Sequence, residues 1–194
     1  MIRPTLVIML KEPRPGRVKT RLGREIGMIA AAWWFRHQTA RLLREVEDPR
    51  WQMVLAVAPD RAGMASRVWP AHLPRVAQGQ GDLGARMARL LRGVGQGPLC
   101  IIGGDIPGIR RGHIARAFGA LGGHDAVFGP AHDGGYWLIG LKRRGGIPAG
   151  FLQNVRWSTE HALQDSIATL PGARVAHIDT LRDVDTAADL APSQ

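Results

Sequence analysis

Thr5-Leu6-Val7-Ile8-Met9-Leu10, running directly into Lys11-Glu12-Pro13-Arg14-Pro15-Gly16-Arg17-Val18-Lys19-Thr20-Arg21, decides how the rest of this chain is read. The first six residues are apolar without polar alternation, which predicts a strand buried on both faces. Lys11 and the Pro and Gly residues after it end that strand. Strands of this kind belong to parallel sheets covered by helices on both sides. The pattern then repeats along the chain. Residues 51–58 and 99–103 read as buried strands, 125–128 and 136–141 as two more separated by a turn-rich stretch, and 174–178 as a last one. Helical spacing marks 24–47, 82–91 with Asp82 as N-cap, and 113–121; a weaker helix lies among Pro59, Pro70 and Pro74, and another begins near Ser158. Strands alternating with helices imply an α/β fold with a mostly parallel sheet.

Composition narrows the class. The chain has 194 residues, which suits one domain, and 45% apolar with 22% charged residues argues against disorder or a fibrous repeat. One cysteine, Cys100, can form neither an internal disulfide nor a Cys-rich zinc site, so a reducing, cytoplasmic setting is expected. No apolar run approaches a membrane span and the N-terminal run is too short for a signal peptide, so no membrane partner is expected. The formal charge of +10 first suggests an anionic partner. Twenty-three of the 26 cations are Arg spread over the chain, and that spread can also be a neutral background.

In sheets of this type ligands sit at the carboxyl ends of the strands. The segment after the first strand, residues 11–24, holds Lys11, Arg14, Arg17, Lys19, Arg21 and Arg24 against Glu12 alone, half of the chain's net charge in fourteen residues. A Pro15-Gly16 turn opening a basic segment that enters a helix suits phosphate, through backbone amides and cations together. It is not a Walker A loop, since Val18 precedes Lys19-Thr20; a solvated basic loop is the plain alternative. After the 99–103 strand comes Gly104-Asp105-Ile106-Pro107, where a carboxylate at a buried strand's end calls for a cation such as Mg²⁺. Capping of the helix that follows is the other reading of Asp105. Asp183 and Asp185 offer further carboxylates, or the acidic start of a last short helix. Asp133 lies in Gly129-Pro130-Ala131-His132-Asp133-Gly134-Gly135, on a turn where backbone can approach a ligand. Trp157 and Ser158 read first as a core aromatic and an N-cap, second as a wall of an acceptor pocket.

Other chemistries find little support. Gly79-Gln80-Gly81-Asp82-Leu83-Gly84 matches the dinucleotide pattern G-x-G-x-x-G, but the run before it makes a poor central strand and the basic loop would be unexplained. The chain has no G-x-S-x-G elbow and no zinc-protease His pair, and its arginines form no stripe with interleaved aromatics, so nucleic acid is not the expected partner.

Taken in order, the segments Lys11 to Leu22, Gly81-Asp82-Leu83-Gly84-Ala85-Arg86-Met87, Gly103-Gly104-Asp105-Ile106-Pro107, Gly129 to Tyr136 and Asp183-Val184-Asp185-Thr186 resemble a bacterial family of glycosyltransferase A-like proteins. Some of its members are named arsenosugar-biosynthesis glycosyltransferases. Its relatives include the phospholactate guanylyltransferases, which share a Lys-Thr-Arg-Leu segment, and more distantly the molybdenum-cofactor nucleotidyltransferases. The resemblance implies a three-layer α/β/α sandwich of the nucleotide-diphospho-sugar transferase type (GT-A, Rossmann-like). It implies nucleotide binding by Lys11, Pro15, Gly16, Lys19, Thr20, Arg21, Gly81, Asp82 and Arg86, and a Mg²⁺ or Mn²⁺ ion on Asp105 with Asp185, or else Asp183, as second carboxylate. Two departures stand out: Gly104 where a Ser is expected, and Glu12 where a small residue is commoner and where an anion would weaken triphosphate binding.

The expected activity is transfer from an NTP to a phosphorylated small acceptor, with Lys19, Arg21 and Asp105 catalytic. A glycosyltransferase using an NDP-sugar, with Asp133 as base, is the alternative. A non-catalytic nucleotide sensor is a third.

Overall fold

A computed structural model describes residues 2–144, 146–182, 186 and 189 of the chain. Its centre is the expected first strand, β1 (Thr5–Lys11), which pairs in parallel with β2 (Gln52–Ala58) on one side and β4 (Leu99–Gly103) on the other. Outside β2 lies the short parallel edge strand β3 (Arg75–Ala77). Outside β4 come β6 (Tyr136–Leu141), β5 (Ala126–Pro130) and β7 (Val175–His177), completing a seven-stranded sheet in the order β3-β2-β1-β4-β6-β5-β7. β6 alone runs antiparallel to its neighbours, β4 and β5. The fold is therefore α/β with a mostly parallel sheet.

Side-chain alternation divides the core into two layers. Leu6, Ile8 and Leu10 of β1, with Leu55, Val57, Cys100 and Ile102, face α2 (Met28–Val46) and α5 (Arg111–Gly123). Val7, Ala56, Leu99, Ile101, Phe128 and Ile139 face α4 (Leu83–Gly93) and α6 (Ala162–Ala168). Each fully buried aliphatic side chain of this kind contributes about 1.5–3 kcal/mol. With both faces covered, β1 needs no polar positions, which is why its sequence reads as an unbroken apolar run. Asp82 caps α4 as expected, accepting from the Ala85 amide at 2.8 Å.

Three expectations are corrected. The helix placed at 24–47 is two helices, α1 (Thr20–Ile26) and α2, parted at Gly27, whose φ of +93° and ψ of 142° lie outside any right-handed helix. The helix placed at Ser158 begins only at Ala162, because Ser158 has φ +60° and cannot act as a helical N-cap. Residues 75–77 are a strand after all, tolerated despite a weak apolar pattern because β3 is a three-residue edge. One further short helix, α3 (Asp60–Ala65), follows β2.

Candidate active site

The carboxyl ends of β1 and β4 and the turn between β5 and β6 open onto one cavity of about 650 Å³. The antiparallel direction of β6 brings Tyr136, its first residue, to the same edge as Gly103, the last of β4. Both ends of the 130–135 turn thus face the cavity side of the sheet.

The basic segment reaches the cavity through two local devices. Arg14 to Arg17 form a β-turn closed by the Arg17 amide on the Arg14 carbonyl at 3.0 Å, with Pro15 at its second position and Gly16 at its third. The φ of Gly16, +72°, is the value a type II turn demands there and glycine supplies without strain. Val18 is then buried against Ala32 and Phe35, which anchors the segment to α2. Next, Lys19 adopts a left-handed conformation (φ 46°, ψ 49°) at the start of α1. Its Nζ lies 2.9 Å from Asp105 Oδ2, with the Lys19 side chain 6% exposed and that of Asp105 39% exposed. The ammonium has left bulk water and the carboxylate has not, so this pair is held by the protein and remains open to a ligand. Asp105 does not cap α5: that helix starts at Arg111, and the Arg110 amide donates to His113 Nδ1 at 3.0 Å.

Lys11, Arg17, Lys19 and Thr20 line the cavity with Asp105, whereas Pro15, Gly16 and Arg21 do not. Half of the six cations between 11 and 24 therefore turn inward. Glu12 is also absent from the walls, and one of its carboxylate oxygens is buried without a hydrogen-bond partner, so its charge does not face a ligand in the cavity. The departure at Gly104 has a steric cause. A Cβ there would run into Leu10 Cδ2, and the Gly104 carbonyl accepts from Thr39 Oγ1 at 3.3 Å, so the Leu10 side chain occupies the space a serine would need.

If Asp105 held a metal it would supply a hard oxygen donor at the edge of a cavity that also holds phosphate-compatible cations. That fits Mg²⁺ or Mn²⁺ bound through few carboxylates and completed by phosphate oxygens. Asp183 and Asp185, the expected second carboxylates, lie outside the described residues. Among the described residues no group of three or more metal-ligating side chains exists.

The opposite rim is the start of α4. Gln78 is 3% exposed, and its side-chain amide donates to the carbonyls of Leu10 at 3.1 Å and Ala56 at 2.8 Å, tying the ends of β1 and β2 together at the cavity wall. Gly81, Asp82 and Arg86 also line the cavity, and Arg86 Nε donates to the Gly81 carbonyl at 2.9 Å. The dinucleotide reading fails here on physical grounds. Amides that would hold a pyrophosphate are already taken by carboxylates, Gly79 N by Asp60 at 3.1 Å and Ala85 N by Asp82 at 2.8 Å. Asp105, the would-be ribose ligand, is paired with Lys19.

A third wall is aromatic. Asp133 lines the cavity on an exposed turn and accepts from the Gly135 amide at 2.9 Å, while His132 beside it is not on the wall. Tyr136 stacks edge-on between Phe128 and Trp157, at centroid distances of 5.1 and 6.3 Å. Burial pushes the Tyr136 phenol well above its ordinary pKa, so the ring stays neutral, and its hydroxyl lies 3.1 Å from Ser166 Oγ. Trp157, Ser158 and Thr159 continue this wall, and the Trp157 indole N–H is buried without a partner. Sequence reasoning missed Gln78, Phe35, Tyr136 and Thr159 as lining residues. Only Gln78 carried a usable signal, a polar residue closing a strand before a glycine.

A family model described as "Uncharacterized protein conserved in bacteria (DUF2064)" matches residues 42–159. No curated protein matches the chain. Among solved structures, a proposed nucleotide-diphospho-sugar transferase from Desulfovibrio desulfuricans G20 is 27% identical with a TM-score of 0.82, over 96% of this chain and 84% of that one. A nucleotidyl transferase from Methanothermobacter thermautotrophicus is 13% identical with a TM-score of 0.62, over 97% and 94%. A Mycobacterium tuberculosis protein solved as a manganese complex is 15% identical with a TM-score of 0.55, over 97% and 96%. The last two likenesses show the fold alone.

Proposed function

The chain belongs to the DUF2064 family and has the fold of the nucleotide-diphospho-sugar transferases, and from that premise we propose that it is a divalent-metal-dependent transferase acting on an activated nucleotide. The observation that carries this reading is the Lys19–Asp105 pair at the base of a cavity that Lys11, Arg17 and Thr20 also line. A carboxylate open to solvent beside a nearly buried ammonium is a poor permanent salt bridge but a good resting state. Phosphate oxygens can take over Lys19 while Asp105 turns to a cation.

The first version of the reaction is nucleotidyl transfer. An oxygen of an acceptor phosphate forms a bond to the α-phosphorus of an NTP, the bond from that phosphorus to the bridging oxygen breaks, and pyrophosphate leaves with the electron pair. The acceptor is already ionised and needs no base. Asp105 would hold the metal, with Asp185 or Asp183 as second carboxylate; when bound, the ion supplies charge neutralisation at the phosphate oxygens. Lys19, Lys11 and Arg17 position the polyphosphate and offset the charge that grows on the leaving group. Arg21, expected to share this role, is not on the wall. Gly81, Asp82 and Arg86 border the nucleoside, with Gln78 beneath them.

A second version is favoured by the third wall. Asp133 stands on it beside Tyr136, Trp157, Ser158 and Thr159, a setting suited to a sugar or a neutral hydroxyl acceptor, with Asp133 as base. Thermal-shift measurements with NTPs and NDP-sugars, in Mg²⁺, Mn²⁺ or EDTA, separate the two versions, and release of pyrophosphate or of nucleoside diphosphate identifies the reaction. Asp105→Ala should abolish metal-dependent stabilisation by nucleotide while the protein stays folded. Wild-type-like stabilisation in that variant would remove the metal assignment.

A further inference from the structure

Three of the six large apolar side chains most exposed among the described residues fall within six positions at the start of α2: Met28, Ile29 and Trp33, which are 37, 67 and 57% exposed. The buried stripe of this helix, Ala31, Ala32, Phe35, Thr39, Leu42, Leu43 and Val46, is complete without them. Ile29 and Trp33 stand on the opposite ridge, four residues apart, and Arg36, Arg41 and Arg44 continue along the exposed side. Glu45 is the only acid in the helix and is paired with Arg110. The first turn of α2 itself holds no acidic residue.

A solvent-facing Trp and Ile, continued along the same exposed side by Arg36, Arg41 and Arg44, match a partner that is apolar within and anionic at its surface. We propose that the amino-terminal end of α2 is a peripheral docking surface for an anionic lipid bilayer. Ile29 and Trp33 enter the interface, and Arg36, Arg41 and Arg44 lie over the headgroups. Among the described residues no helix is long and apolar enough to cross a membrane, but a helix lying in the interface needs no such length. A second copy of the chain fits this surface poorly, since a two-fold contact would set the arginine row against its own counterpart. Base stacking on Trp33 is also disfavoured, because His37 already stacks on its ring at 5.4 Å and Arg36 lies 6.0 Å from its centroid.

The test is flotation of the full chain with phosphatidylcholine vesicles, with or without phosphatidylglycerol, at about 0.1 M salt. The protein should float with the anionic vesicles and not with the neutral ones. Ile29→Ser with Trp33→Ser should lower recovery at least tenfold, and Arg41→Glu with Arg44→Glu should lower it comparably. All four side chains are exposed, and circular dichroism verifies the fold of both variants. Failure to float with anionic vesicles overturns the proposal. So does undiminished flotation of the Ile29/Trp33 variant, which would mean bulk charge alone, and so does a dimer that this variant dissolves in the absence of vesicle binding. The nucleotide-induced thermal shift is expected to be unchanged in both variants, so loss of docking and failure of the transferase reading are distinguishable.

Discussion

The two ends of the cavity are built on opposite principles. At the end formed by residues 17–20 and Asp105, long charged side chains meet, and the contact that organises them is one ion pair whose carboxylate remains open to solvent. At the end formed by Tyr136 and Trp157, rigid rings pack edge to face, and the one titratable group on them is held neutral by burial. The first end can exchange partners when a charged ligand arrives. The second offers a fixed aromatic shape whose charged neighbour on the cavity wall is Asp133 on the adjoining turn. A transferase needs both, a responsive region where charge moves and a preformed one that sets orientation.

Substitutions can break or sharpen this contrast. The largest effect is expected at the responsive end: Asp105→Asn should cut turnover by about 10²–10³-fold and erase metal-dependent stabilisation by nucleotide. It also removes a carboxylate charge 2.9 Å from a nearly buried ammonium, so melting should fall. Adding Lys19→Met should recover part of the melting temperature without recovering activity, since it removes the nearly buried ammonium along with the phosphate contact. Lys19→Met alone should weaken nucleotide binding about tenfold or more, read by titration, with less effect on metal dependence. At the preformed end, Trp157→Ala should raise KM for the acceptor or sugar about tenfold and leave nucleotide stabilisation intact, whereas Trp157→Phe should remain close to wild type because the ring carries the contact. If Trp157→Ala instead abolishes nucleotide stabilisation, the two ends are not separate. The smallest effect belongs to Gly16→Ala. Nothing lies within 4 Å of the added Cβ, so only the positive φ is penalised, at roughly 1–2 kcal/mol in a denaturation curve.

The same contrast explains what the sequence could and could not reveal. β1, β4 and capped α4 are legible because uninterrupted apolar runs and an Asp N-cap are local signals. The basic loop and Asp105 are legible as charges out of place, a dense cationic segment and a carboxylate at the end of a buried strand. Their pairing with each other is not, because it depends on Lys19 adopting a left-handed conformation with no glycine to announce it. The aromatic wall is harder still. Tyr136, Trp157 and Phe35 look like ordinary core residues, and only the direction of β6 and the strained turn at Ser158 bring two of them to the cavity. The strong helical pattern on both sides of Gly27 hides the break there, and spacing alone does not tell the exposed ridge at Ile29 and Trp33 from a buried one.

The reversed strand β6 has one further consequence. β1, β2 and β4 are joined by long crossovers that carry helices, so their order cannot change without rethreading the sheet. β5 and β6 are joined by a hairpin turn, and a turn can grow, shrink or be exchanged with no effect on the strands it links. The basic side of the cavity is consequently fixed by topology. Part of the opposite side, the stretch that carries Asp133, hangs on a replaceable turn, so residues 130–135 can be rewritten while Trp157, Ser158 and Thr159 keep the rest of that wall.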